Sequence, residues 1–256
     1  MTGFPYRLTG PIGSAATLGL IVLQVDETIE HDFRRLFPLS GTALHISRIP
    51  SGAELTADTI AQMEVDLPQA ASLLPPAADF DVVGYACTSG TTLIGAGRVA
   101  ALVSNSTRTR SVTDPLTASV AALQALKVRS VGIVSPYIET VARPIRQAFE
   151  ACGFTVPATL SFGEKVEARV ARIDPASIRE AALHVGRQGG VDAVFLSCTN
   201  LRTLDIIADL EDALGVPVIS SNQALAWHMA RLCPASPPVT GPGRLFGTER
   251  LFDRPT

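Results

Sequence analysis

A chain of 256 residues with 46% hydrophobic residues can bury one large core or two smaller ones, and is too apolar to be disordered. Its net charge of −3 gives no general basic surface for nucleic acid or anionic membranes, so the expected partner is a small molecule. The amino end lacks the continuous apolar region of a signal peptide, no run reaches the roughly 18 apolar residues of a membrane span, and four cysteines without a CxxC pair read as reduced thiols. A cytoplasmic protein without a disulfide framework or zinc site is expected.

After a Gly/Pro-rich lead, residues 18–23 (LGLIVL) read as a buried strand, and 26–37 have the spacing of a helix ended by Pro38. Residues 42–47 alternate like a strand, and 56–74 are helical until Pro75 and Pro76. A strand ending at Cys87 follows, then a helix over 91–103, a brief strand at 111–113 and a helix over 115–127. The second half repeats the order: strand 130–134, helix 138–151 closed by Gly153, an extended segment over 154–162 interrupted by Pro157, and helix 175–188. Strand 192–197 leads to Cys198, helix 203–214 is closed by Gly215, and strand 216–220 and helix 223–232 complete the pattern. The Pro- and Gly-rich tail from Cys233 is expected to lie irregularly on the surface.

Strands alternating with helices of this length call for an α/β fold with parallel sheets. The repeat predicts two pseudo-symmetric, open, parallel-sheet (Rossmann-like) halves with the site between them. The expected domains are 1–114 plus 222–256, and 115–221.

The repeat is sharpest at FDVVGYACTSGTT, residues 80–92, which reappears as VDAVFLSCTNLRT at 191–203. Cys87 and Cys198 end the two strands, where an open α/β sheet binds ligands, and each is expected to face the amino end of the next helix. Such a helix end lowers a cysteine pKa, so both are expected to ionise near neutral pH and to react with iodoacetamide below pH 7. A thiol pair can exchange protons with a carbon acid, or one thiolate can add to the substrate while the other handles the proton. Two buried structural cysteines are the alternative, but the matched contexts GYACTSG and FLSCTNL favour function. Thr88, Ser89 and Gly90, with Thr199 and Asn200 in the other half, either cap helices or offer hydroxyl, amide and N–H groups to a carboxylate.

The remaining motifs carry less. Gly95 to Ala100 fits a loose GxGxxA pattern, but its glycines fall inside a helix and read as close helix packing. His31, His45, His184 and His228 show no ligand spacing and read as surface or capping residues, and Cys152 and Cys233 as structural. No GxSxG elbow or GxxxxGK[ST] loop is present.

The motifs YACTSG and SCTNL, together with GVPVISSNQALAW at 215–227, resemble the aspartate/glutamate racemase superfamily. Within it the resemblance is to the branch of maleate cis-trans isomerases, arylmalonate decarboxylases and ectoine-utilisation proteins, over about residues 18–232. It implies an enzyme without cofactor or metal that binds a small carboxylate or amino acid between two domains, with Cys87 and Cys198 as the catalytic pair. The decarboxylases keep only the second cysteine, so the pair argues against decarboxylation. A homodimer is the expected assembly.

Two departures from the isomerase pattern bear on the substrate. Where that branch has a Ser-Ser-Asn-Thr segment whose asparagine holds a substrate carboxylate, this chain has Gln24-Val25-Asp26-Glu27-Thr28. Ser135-Pro136-Tyr137 keeps the family's tyrosine, a hydrogen-bond donor to substrate, while the run 163–167 (GEKVE) sets Lys165 where an asparagine is common. If Asp26 and Lys165 face the pocket, one acid and one base suit a zwitterion better than a dicarboxylate; for Lys165 a solvated surface is the alternative. Two other outcomes stay open: a carboxylate-binding protein without chemistry, and an idle duplicate of the enzyme fold.

Overall fold

The structure is a computed structural model and describes residues 3–37, 41–54 and 56–248. The apolar runs form two four-stranded parallel sheets. The first contains β1 (Ala16–Leu23), β2 (Thr42–Ile49), β3 (Phe80–Ala86) and β4 (Thr109–Thr113) in the order β2-β1-β3-β4. The second contains β5 (Val131–Ser135), β6 (Thr159–Ser161), β7 (Ala193–Leu196) and β8 (Val218–Ser220) in the order β6-β5-β7-β8. The two orders are the same, so the repeat read from the cysteine motifs extends to topology. Leu18 pairs with Val82 and Val131 with Ala193, which sets β1 beside β3 and β5 beside β7. Every residue of β1 and β5 is buried, as parallel strands covered by helices on both faces must be. One apolar core runs through both halves.

Among the described residues ten α-helices accompany the strands: α1 (Ile29–Leu36), α2 (Ala57–Ser72), α3 (Thr88–Ile94), α4 (Ala96–Ser104), α5 (Pro115–Ala125), α6 (Glu139–Ala151), α7 (Glu167–Val170), α8 (Pro175–Gly186), α9 (Ile207–Leu214) and α10 (Ser221–Leu232). Their starts follow local chemistry. Asp114 and Asp174 cap α5 and α8 ahead of a proline in the first turn, and Ser220 with Gln223 forms a capping box on α10. Gly215 closes α9 in the left-handed conformation, φ 74°. Lys127 does the same after α5 at φ 58°, without glycine's freedom there.

Several expected elements differ. The helix expected over 91–103 is two helices broken at Gly95, whose φ of 95° a side chain resists. A Cβ on Gly95 or Gly97 would touch nothing within 4 Å, so close packing is not why these glycines are there. The helix expected from 26 starts at Ile29 because Asp26 Oδ1 accepts the N–H groups of Thr28 and Ile29 and caps it; the stop at Pro38 lies outside the described residues. The segment 154–162 holds only the short β6, and α7 was not expected. The tail is anchored up to residue 248: Leu245 is buried, Arg244 N–H donates to Glu211, and Gln223 donates to the Pro242 carbonyl. Among the described residues no helix is long and apolar enough to cross a membrane.

Candidate active site

The carboxyl ends of β3 and β7 deliver Cys87 and Cys198, both buried. Cys87 caps α3, and its Sγ accepts the Gly90 N–H at 3.1 Å with Ser89 Oγ at 3.6 Å. A Cβ on Gly90 would lie 2.9 Å from Cys87 Sγ and 2.7 Å from the Tyr85 hydroxyl, so only glycine fits there. Cys198 differs from expectation. It enters a loop, and helical structure resumes only with a 3-10 turn at Leu204–Ile206, so its Sγ is met by the Asn200 N–H at 3.4 Å rather than by a helix end.

One side chain ties the two cysteine motifs together. Ser221 Oγ, at the start of α10, accepts the Cys198 N–H at 3.1 Å and shares a 2.9 Å hydrogen bond with the Thr88 hydroxyl. Tyr137 is buried just beyond β5, with its hydroxyl beside both thiols and close enough to shift and be shifted by them. Neither Ser221 nor Tyr85 was singled out from the sequence, although Ser221 lies in the run GVPVISSNQALAW.

Burial decides the protonation of both thiols. Desolvation pushes Cys87 up to about 11, and the hydrogen bonds from Ser89, the Gly90 N–H and Tyr85 only partly oppose it. Cys198 is pushed well above the ordinary thiol range, by burial first and by the Glu167 charge second. Burial thus opposes the thiolates expected near neutral pH, the loss of water outweighing the helix end at Cys87.

The other candidate residues separate into buried and exposed. Thr88, Ser89, Thr199 and Asn200 are all buried around the thiols. Asn200 is fully engaged: its Oδ1 accepts the Glu27 N–H at 2.9 Å, and its Nδ2 reaches the carbonyls of Val25 and Glu167 and the Glu167 carboxylate at 3.2 Å. It binds the loop after β1 to α7, and so one half to the other. Thr199 Oγ1 donates to the Ala86 carbonyl at 3.4 Å. Asp26 is buried beside Cys198 and Glu167, and burial raises its pKa. Lys165 points outward, 3.4 Å from Glu54 across the boundary between halves, with about half its side chain exposed. Two residues on, Glu167 turns inward instead, is buried, and acts electrostatically on both thiols. The backbone sets this register: the Glu167 N–H donates to the Ala53 carbonyl, and Val166 bridges to Glu54. A second acid, Asp32 on α1, accepts from Asn222 Nδ2 at 2.8 Å, and burial raises it to about 6. His228 is half-buried rather than on the surface, bonded to Thr113, and burial lowers it to about 4. Cys152 is exposed and Cys233 buried. Among the described residues no cluster of His, Cys, Asp and Glu has the arrangement of a metal site.

Two parallel α/β sheets of the same strand order, each ending in a buried thiol and joined through Ser221, define a two-half fold built around a cysteine pair. The family model for arylmalonate decarboxylase matches residues 81–246, and the chain belongs to that family. Its relatives include the maleate isomerase of Pseudomonas putida, 28% identical over 66% of this chain and 70% of that protein. The arylmalonate decarboxylase of Bordetella bronchiseptica is 36% identical over 51% of this chain and 55% of its own. Among solved structures, a glycine-to-cysteine, cysteine-to-serine variant of arylmalonate decarboxylase in liganded form is 26% identical, with a TM-score of 0.80 over 90% of this chain and 98% of that one. A maleate cis-trans isomerase from Nocardia farcinica, a cysteine-to-serine mutant with a covalently bound succinylcysteine intermediate, shares the fold at a TM-score of 0.77 and 24% identity over 90% of this chain and 97% of that one.

Proposed function

We propose that this protein is a cofactor-independent isomerase or racemase that acts on a small carboxylate held between Cys87 and Cys198. The observation that carries this is the pair itself: two buried thiols at matching strand ends, their motifs linked by Ser221 through the Cys198 N–H and the Thr88 hydroxyl, with Tyr137 beside both. A racemase step balances within the pair. The thiolate of one cysteine takes the proton from the carbon beside the carboxylate, the electrons pass into the carboxylate as an enediolate, and the other thiol returns a proton to the opposite face. A cis-trans isomerase step uses the same groups differently: the Cys87 thiolate adds to the double bond, the new single bond rotates, and elimination restores thiolate and alkene.

Thr88, Ser89 and Thr199 would hold the carboxylate and Tyr137 would donate a hydrogen bond, while Asn200 fixes the loop that carries Asp26. The candidate substrates are a maleate-like diacid and an amino acid, including a diamino acid derived from ectoine. The intact pair counts against decarboxylation.

Deuterium wash-in followed by NMR tests this. The protein is incubated in D2O with maleate, aspartate, glutamate, 2,4-diaminobutyrate and its N-acetyl forms, beside Cys87→Ser. Exchange at the α carbon that disappears in the variant supports a racemase, and conversion of maleate to fumarate supports the addition route. Binding without either reaction sinks both and leaves a carboxylate-binding protein.

A further inference from the structure

We propose that Asp26 and Glu167 form an ammonium-binding subsite, so that the substrate carries an amino group together with its carboxylate. This rests on the site proposed above and names the class of molecule it takes.

Each half contributes one carboxyl to the subsite, Asp26 from the loop after β1 and Glu167 from the first residue of α7. Both are at least 95% buried, with 3% and 4% of their surface exposed. Asn200 Nδ2 bonds both the Glu167 carboxylate and the carbonyl of Val25, the residue before Asp26, which sets the two acids close together; the Asp26 charge acts on Glu167, both act on Cys198, and Glu167 also acts on Cys87. The two oxygens of Asp26 have different uses. Oδ1 is spent on the start of α1, whereas Oδ2 is buried and accepts no well-formed hydrogen bond; the Thr199 hydroxyl is near enough to lower the Asp26 pKa but donates to the Ala86 carbonyl at 3.4 Å. A buried carboxylate oxygen without a donor is costly and rare.

Among the described residues no lysine, arginine or histidine is buried, so no buried positive group is placed to relieve it. The cation nearest in effect to Asp26 is Arg48, which acts from the exposed side while held by Glu30 and by the carbonyls of Leu23, Gln24 and Asp26. Lys165 is outside, against Glu54. A dicarboxylate entering this space would bring two further negative charges to two buried acids with no cation to balance them. An ammonium group instead carries the missing charge and three N–H donors, one of which suits Oδ2. With the amino group so held, the reaction favoured is proton exchange at the carbon that bears it rather than addition to the double bond of a diacid.

The test is calorimetric binding to the full-length chain carrying Cys87→Ser, which removes turnover. The probes are 2-aminobutyrate and 2,4-diaminobutyrate as both enantiomers, with butyrate, succinate and maleate lacking the amino group. The amino acids should bind at least ten-fold more tightly than their des-amino counterparts. Asp26→Asn, which keeps an oxygen to cap α1, and Glu167→Gln should each remove most of that preference and improve succinate or maleate binding. Equal or tighter binding of the des-amino acids to the parent protein, an unchanged preference in both variants, or no binding of any amino acid overturns the subsite. The outcomes separate the two proposals: preferential amino-acid binding without deuterium exchange leaves the subsite standing and sinks the catalytic assignment, and maleate isomerisation without amino preference does the reverse.

Discussion

Asp32 offers a quantitative check on how burial sets charge in this molecule. Its carboxyl is held at about 6 in the folded chain against 3.8 for the free group, chiefly because burial disfavours the anion. An acid whose folded pKa is raised contributes stability that is complete below the unfolded value and is lost as pH climbs through the folded one. The window runs from about pH 4 to pH 6, and at 1.36 kcal/mol per unit the loss approaches about 3 kcal/mol above it. Asp32→Asn keeps an oxygen that can accept the Asn222 amide and removes the ionisation. The variant should thus exceed the parent by about 1 kcal/mol near pH 4.5, rising to about 3 kcal/mol near pH 7.5. Urea unfolding of both proteins at several pH values across this range measures the difference. A gap that stays constant, or narrows as pH rises, refutes the claim that Asp32 is buried against its own charge.

Thiol chemistry gives a second expectation. With burial raising Cys87 to about 11 and Cys198 well above the ordinary thiol range, iodoacetamide near pH 7 should modify exposed Cys152 first and the buried pair much more slowly; intact mass showing simultaneous addition at several cysteines would contradict the closed, desolvated pair. Lys127 holds a left-handed backbone after α5. Lys127→Gly should stabilise the fold by about 0.5 kcal/mol, relief of the side-chain clash exceeding the added freedom of the unfolded chain, whereas Lys127→Ala should bring no gain in melting temperature.

The halves and the cysteine pair were legible because both are written locally: apolar runs of strand length, helical spacing between them, and one motif used twice. What escaped depended on distant partners. Gly95 looks like a helix-packing glycine until its positive φ shows a break between α3 and α4. Lys165 lies two residues ahead of Glu167, the first residue of the four-residue α7, and only the backbone bond to Ala53 decides which enters the site. The order in GEKVE carries no trace of that contact. The helix end at Cys87 was foreseen, but its effect on the thiol was not, since a residue's loss of water depends on everything that packs around it. The Pro- and Gly-rich composition of the tail hid Leu245 and the bond from Arg244 to Glu211, which follow from the shape of α9 and β8.

The last helix also imposes an order on biosynthesis. α10 ends at Leu232, yet it packs against α1, α5, β3 and β4, the elements made first. While the ribosome is still adding the second sheet, the emerging amino-terminal sheet has one apolar face waiting for residues not yet translated. The surface that α10 covers on β3 and β4 is therefore closed only once residues 221–232 have been made, so the first sheet cannot bury it at the time it is synthesised.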